Sequence, residues 1–72
     1  MVPTKMLRRA RLAAGLTYRE VGDAAALDRT AIAHYEAHRG KPSPDALRRW
    51  QAALAKLLAE RSRQIAAVLE TL

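Results

Sequence analysis

Leu16-Thr17-Tyr18-Arg19-Glu20-Val21 and Leu27-Asp28-Arg29-Thr30 are the two stretches that decide the fold of this chain. Thr17 and Glu20 have the spacing of a capping box, in which each side chain satisfies a backbone amide at the start of a helix. Asp28 is a good N-cap for a further short helix. The two stretches therefore predict two short helices joined by a tight turn.

Prolines, glycines and capping residues mark the ends of the other predicted helices. Thr4 is the predicted N-cap of the first helix, and Gly15 is its stop. Ser43, followed by Pro44, starts the fourth helix, because proline is well suited to the first helical position. No strand pattern or repeat is visible, so the fold is predicted to be all-α with four to five helices. The predicted helices run from about Lys5 to Ala14, from Tyr18 to Ala25, from Arg29 to about Ala37, and from Pro44 onward.

The segment from Pro44 to Leu72 contains no glycine and no further proline. Its apolar residues recur with a period near 3.6, which predicts an extended C-terminal helix. The charged run from Glu60 to Arg63 interrupts the apolar face, so a break between Ala55 and Arg63 stays open. We assign residues 1–55, which include the two short helices and their turn, to one domain and residues 56–72 to a C-terminal helical extension.

Composition indicates one small domain with a thin core. Half of the 72 residues are hydrophobic, but 16 of these are alanine, and there is no cysteine to form a disulfide. A chain of this size buries only about 60% of the surface that its unfolded form exposes. Association with a partner, of which a second copy is the simplest, would supply the missing stability.

The net charge of +6 comes from 13 Lys and Arg against 7 Asp and Glu. Such an excess favours a polyanionic partner, because neutralised phosphates release counterions; a merely solvated surface is the alternative explanation. No apolar run is long enough for a membrane span, and no signal peptide is visible. We therefore expect a cytoplasmic protein, and its richness in alanine and arginine indicates a bacterium or a phage.

Five short motifs follow one another along the first 55 residues. They are Leu7-Arg8 with Arg11, Gly15-Leu16-Thr17, Ile32 with Tyr35-Glu36, Lys41-Pro42-Ser43, and Leu47 with Leu54. In this order and spacing they resemble the lambda-repressor/Cro family, also called the XRE-type helix-turn-helix family, over residues 5–55. The resemblance implies a compact lambda-repressor-like domain that reads double-stranded DNA with its third helix in the major groove.

Three positions depart from the family pattern. The family usually has Gln where this chain has Tyr18, Ala where it has Gly22, and Gly where it has Ala26. Gly22 costs about 1 kcal/mol of helix propensity. A left-handed backbone at Ala26 would be strained, unless the turn itself differs.

The resemblance places base reading on Arg29, Thr30 and His34, and helical geometry agrees, since these residues lie opposite Ile32 and Tyr35. Arg29 has the donors for a two-bond contact to guanine, worth about 1–3 kcal/mol in discrimination. Thr30 suits a base edge or a thymine methyl group. An ordinary solvated helix face is the alternative.

Five further residues are predicted to bind phosphate groups of the DNA backbone. Three stand at the start of the second helix, where amides and the helix dipole favour anions, and two stand in the loop after the third helix, where simple solvation is the alternative. They are Thr17, Tyr18, Arg19, Arg39 and Lys41.

The resemblance also implies an ion pair between Arg11 and Glu36 that ties the first helix to the third. His34 and His38 stand four apart, but two histidines without a carboxylate or thiol make an incomplete metal site. We predict no metal and no cofactor. Trp50 is predicted to anchor the core.

Apolar residues near the C-terminus have no obvious surface within so small a domain to cover them, and such a stripe usually marks an interface. A symmetric homodimer is the favoured occupant; a helix folded back as core, or capture of another protein as in an antitoxin or phage accessory factor, are the alternatives. The predicted dimer residues are Leu58, Ile65, Val68, Leu69 and Leu72.

The sequence as a whole predicts a transcriptional regulator, a repressor, that binds an inverted-repeat operator as a homodimer. No set of nucleophile, base and orienting group is visible, and there is no phosphate-cradling glycine loop. We therefore do not expect an enzyme.

Overall fold

A computed structural model describes residues 3–72, which form four α-helices and no strand. The all-α fold with a long C-terminal helix is confirmed. The fourth helix is continuous, so the described chain has no break between residues 55 and 63. The first two residues of the predicted domain 1–55 lie outside the described part. In chain order the helices are α1 (Thr4–Ala13), α2 (Tyr18–Ala25), α3 (Arg29–Glu36) and α4 (Pro44–Thr71).

The predicted cap of α1 was wrong. Thr4 is the first helical residue, Pro3 is the N-cap, and no side chain caps this end. The extended backbone of Pro3 turns its carbonyl into the helix, where it accepts from the amide of Met6 at 2.9 Å. Since proline fixes φ near the value that a helix start needs, the chain enters α1 one residue earlier than the hydroxyl of Thr4 suggested.

The other three helix starts are capped as predicted. The hydroxyl of Thr17 accepts from the amide of Glu20, and the carboxylate of Glu20 accepts from the amide of Thr17, both at 3.0 Å. The carboxylate of Asp28 accepts from the amide of Thr30 at 2.8 Å. The hydroxyl of Ser43 accepts from the amide of Ala46 at 3.1 Å. These contacts set the starts of α2, α3 and α4 by local chemistry.

The turn between α2 and α3 contains a left-handed alanine. Ala26 has φ 56° and ψ 42°, and its carbonyl accepts from the guanidinium of Arg49 on α4 at 3.1 Å. The turn also brings backbone against Gly22, where an added Cβ would lie 2.6 Å from the carbonyl oxygen of Leu27. Gly22 therefore permits the close approach, while Ala26 carries the strain that glycine would avoid.

The first half of α4 closes the core. Trp50 is fully buried, and its ring centroid lies 5.8 Å from that of Tyr35 on α3. The indole N–H of Trp50 has no hydrogen-bond partner among the described residues. Burial of the aromatic ring thus outweighs the loss of one hydrogen bond with water. The buried cluster comprises Leu7, Leu16, Val21, Ile32, Leu47, Trp50 and Leu54.

The second half of α4 extends beyond this core. A helix of 28 residues is about 42 Å long, close to the 44 Å length of the whole molecule, whose other dimensions are 22 Å and 18 Å. Along this half, Ile65 is 54% exposed and Leu69 is 64% exposed. The alternative in which the helix folds back as core is therefore wrong for these residues.

Gly22 stands where an added methyl group would meet backbone, and Ala26 stands where glycine would relieve strain. Changing each residue to the other type therefore predicts opposite effects on the free energy of unfolding. We expect Ala26→Gly to raise the free energy of unfolding by about 0.5–1 kcal/mol, because glycine relieves the left-handed strain but loses more entropy. We expect Gly22→Ala to lower it by about 1–3 kcal/mol, because the added carbon meets backbone. Urea denaturation measures both values.

Ala24→Gly is the matched control, since Ala24 is exposed within α2, and glycine there should cost about 1 kcal/mol. A Gly22→Ala variant more stable than the wild type would contradict the close approach of Leu27.

Candidate nucleic-acid interface

The outer face of α3 presents three exposed polar side chains, Arg29, Thr30 and His34. Ile32 is fully buried on the opposite face. The cap from Asp28 holds the first turn, so Arg29 and Thr30 lie at the ordered amino end of α3. Because its outer side chains are exposed, this end of α3 can enter the groove of a binding partner without displacing core residues.

A buried ion pair joins α1 to α3. The Nε atom of Arg11 donates to Oε2 of Glu36 at 2.7 Å, and Nη2 donates to Oε1 at 2.9 Å. The side chains are only 9% and 2% exposed. A third bond runs from Nη1 of Arg11 to the carbonyl of Leu16 at 2.9 Å. One guanidinium thus connects α1, the loop before α2, and α3.

Arg11 also supports the start of α2. Its guanidinium carbon lies 4.2 Å from the ring centroid of Tyr18, a cation–π arrangement. The hydrogen bonds to Glu36 raise the pKa of Arg11, although burial opposes the shift. The charge therefore persists at all ordinary pH values, but the side chain is committed to Glu36. Arg11 consequently acts on the α2 start by holding Tyr18 in place.

The start of α2 carries the predicted phosphate residues Thr17, Tyr18 and Arg19, which are all exposed. The side chain of Thr17 is used in the capping box. Arg19 is 76% exposed in its side chain and lies 3.9 Å from Asp23. The amides of Tyr18 and Arg19 belong to the first turn, whose donors have no partner within the helix. They can therefore meet an anion.

The capping box lowers the pKa of Glu20, first through the backbone amide of Thr17 and then through its side chain. Because the folded-state pKa lies below the ordinary value, the cap contributes stability above that value. This contribution is lost as the pH falls through the lowered folded-state pKa.

The loop after α3 carries Arg39 and Lys41, both exposed. His38 in this loop has φ 60°, the left-handed conformation in which helices often end. The amide of Arg39 then bonds to the carbonyl of His34 at 2.9 Å. Sequence reasoning missed this backbone conformation of His38, because glycine is the residue that usually adopts it at a helix end.

No group of three or more potential metal ligands occurs within residues 3–72.

Arg49 is a second residue that sequence reasoning missed. It lies 3.1 Å from Asp45 and also bonds the carbonyl of Ala26, so it braces the turn before α3. No local motif marks it, since the contact joins residues 23 positions apart.

The predicted dimer residues form a stripe on the outer half of α4. Leu58 is half-buried beside a shallow groove of about 250 Å³ that Ala13, Ala14 and Ile65 also line. The other residues are exposed by more than half of their surface, and Leu72 reaches 94%. The stripe thus begins against α1 and continues past the body of the domain.

Two short helices joined by a tight turn, packed beneath a supporting helix and presenting a polar outer face, define the helix-turn-helix class. A family model described as a helix-turn-helix domain matches residues 5–64. The chain belongs to this helix-turn-helix domain family, which suggests a DNA-binding, non-enzymatic regulator. No curated protein and no solved structure matches the chain significantly. Within residues 3–72, no helix combines the length and apolarity needed to cross a membrane.

The buried ion pair predicts a large asymmetry between single and double variants. Arg11→Met leaves the carboxylate of Glu36 buried without its partner, and we expect a loss of about 3–5 kcal/mol in the free energy of unfolding. The double variant Arg11→Met with Glu36→Met should recover most of this loss, because neither charge remains buried. Denaturation monitored through Trp50 fluorescence measures each value.

Arg48→Met is the control, because the Arg48–Asp45 pair is 3.3 Å long and exposed, and should change stability by less than about 1 kcal/mol. Equal losses of unfolding free energy in Arg11→Met and Arg48→Met would show that the buried pair contributes no more to stability than an exposed pair.

Proposed function

We propose that this protein is a transcriptional regulator of the lambda-repressor/Cro, or XRE, type that binds double-stranded DNA with α3 in the major groove. The observation that carries the proposal is the outward position of Arg29, Thr30 and His34, opposite the buried Ile32. A helix presenting a first-turn arginine in this way matches the requirements of base reading. Residues 1–55 form the DNA-binding unit in this proposal.

Basic and polar groups on either side of α3 support the same orientation. Tyr18 and Arg19 lie at the start of α2, and Arg39 and Lys41 lie in the loop after α3. Phosphates on both edges of a major groove would meet these groups while α3 contacts the bases. Such contacts position the protein, and the net charge of +6 adds attraction that weakens with salt.

A second copy completes the proposed operator complex. Each chain presents a single α3, so an inverted repeat with half-sites about 34 Å apart requires two chains. The exposed stripe of α4 in residues 56–72 is the proposed contact between them, because isologous pairing would cover Ile65, Val68 and Leu69 in both copies. The dimer would repress by occupying its operator on the bacterial or phage genome in the cytoplasm.

The base-reading assignment predicts different effects for two single-charge changes. After selection of bound duplexes from a random pool, Arg29→Ala should relax the preference at one base pair of each half-site, at a cost of about 1–3 kcal/mol on the preferred duplex. Lys41→Ala should weaken all duplexes alike. Unchanged base preference in Arg29→Ala would mean that another face of the domain reads DNA.

The dimer assignment predicts that Leu69→Glu dissociates the protein into monomers, because two charges would then meet in an apolar contact. Analytical ultracentrifugation measures the change. Ala67→Glu, which adds the same charge at an exposed position on the opposite side of α4, should remain dimeric. A wild-type chain that is monomeric at all accessible concentrations would contradict the homodimer.

The same stripe supports one rival function, an antitoxin or phage accessory factor that captures another protein with α4. In that case the isolated chain would be monomeric, and a different polypeptide would co-purify with the wild type but not with Leu69→Glu.

A further inference from the structure

A groove of about 380 Å³ lies between α1 and the carboxyl end of α3. Lys5 and Arg8 line it from α1, Tyr18 from the start of α2, and His38 from the loop after α3. Lys5 is exposed, and the side chain of Arg8 is 56% exposed. The base-reading and phosphate residues predicted from the sequence account for only one of these four side chains, Tyr18.

We propose that this groove binds a phosphodiester group of the DNA backbone, outside the phosphates met by the α2 start and the α3–α4 loop. The proposal rests on the proposed DNA-binding function and extends its footprint onto α1. Lys5 and Arg8 supply positive charge, and the hydroxyl of Tyr18 supplies a hydrogen-bond donor, while the backbone amide of Tyr18 stays with the phosphate at the α2 start.

The charge balance of the groove favours an anion. Glu36 is the acidic group on its lining, but it already accepts two hydrogen bonds from Arg11 and lies 3.9 Å from Nε of Arg8. With Arg11 offsetting this carboxylate, the charges of Lys5 and Arg8 are left in excess. A phosphodiester carries a single negative charge, so two nearby cations can compensate it without rearrangement of the buried pair.

The position of the groove matches a DNA strand that passes α3. Ala33 lines the groove, and it follows Arg29 by four residues and Thr30 by three, so all three share one face of the helix. Tyr18 connects the groove to the start of α2. A strand held by the α2 amides would therefore continue along the same surface to Lys5 and Arg8.

The shape of the lining also suits a compact tetrahedral group. Ala33 and Ala37 are the residues that α3 and its end contribute beside Glu36, and their small side chains leave room between the flanking cations. A larger apolar ligand would find few partners there, because most of the remaining lining is charged or polar.

The test compares the salt dependence of duplex binding between two charge-matched double variants. The first is Lys5→Gln with Arg8→Gln. The control is Lys56→Gln with Arg63→Gln, which removes the same charge from exposed positions on α4. The duplex is one selected from a random pool by the wild-type chain. Each lost phosphate contact should reduce the slope of log affinity against log salt by about 0.9.

We expect the Lys5/Arg8 variant to lose about 0.9 units of slope, the value for one phosphate contact, which corresponds to roughly a 10-fold loss of affinity at 0.1 M salt. The control should keep the wild-type slope. A Lys5/Arg8 variant with the same slope as the control overturns the proposed groove. The single variant Lys5→Gln repeats the comparison if the double variant unfolds, because the side chain of Lys5 is exposed and makes no hydrogen bond or ion pair within residues 3–72.

A second measurement separates direct contact from general attraction. Neutral methylphosphonates replace the duplex phosphates one at a time. One such replacement at the flank of the half-site should weaken the wild type by about 10-fold and leave the Lys5/Arg8 variant unchanged. Equal sensitivity of both proteins at every position overturns the groove while the proposed function stands. A wild type that binds no duplex overturns the proposed function itself.

Discussion

The buried bond between Arg11 and Glu36 is the interaction on which the rest of the domain depends. It connects α1 with α3 and, through the carbonyl of Leu16, with the loop that leads into α2. Burying two charges is costly unless both are paired and hydrogen-bonded. A displacement of α3 that separated Arg11 from Glu36 would leave each charge buried without its partner and would therefore be unfavourable. Because the core is thin, this pair is a main contact that orients α3 relative to α1. The cation–π contact between Arg11 and the ring of Tyr18 orients the start of α2 in the same way.

Local rules account for most of the fold that could be predicted. Capping chemistry placed the starts of α2, α3 and α4, because those contacts involve residues two or three apart. The same rule failed at α1, where a proline carbonyl took the place of the Thr4 hydroxyl. Contacts between distant residues left no local pattern to detect. The brace from Arg49 to Ala26 and the groove between Lys5 and His38 belong to this group. The left-handed Ala26 was foreseeable as a strained alternative, and the structure adds that the backbone of Leu27 is the group that lies against Gly22.

The two halves of α4 have different roles, since the first half is buried in the core and the second half is exposed. The first half is an internal support, with Trp50 buried against Tyr35 beneath α3. The second half keeps its apolar residues exposed, and Leu58 stands at the transition. In the proposed function, one rigid helix therefore fixes both the tilt of α3 and the separation of two such helices. Operator spacing would then follow from helix geometry alone, since no flexible linker lies between Pro44 and Thr71.

Methylation interference on a selected duplex tests most directly whether α3 reads the major groove. Dimethyl sulfate modifies guanine at N7 in the major groove and adenine at N3 in the minor groove. The proposed position of α3 in the major groove predicts that guanine methylation blocks binding in two clusters about one helical turn apart, and that Arg29→Ala loses this sensitivity at one guanine of each cluster. Interference confined to adenine N3, or guanine interference unaffected by Arg29→Ala, would contradict it.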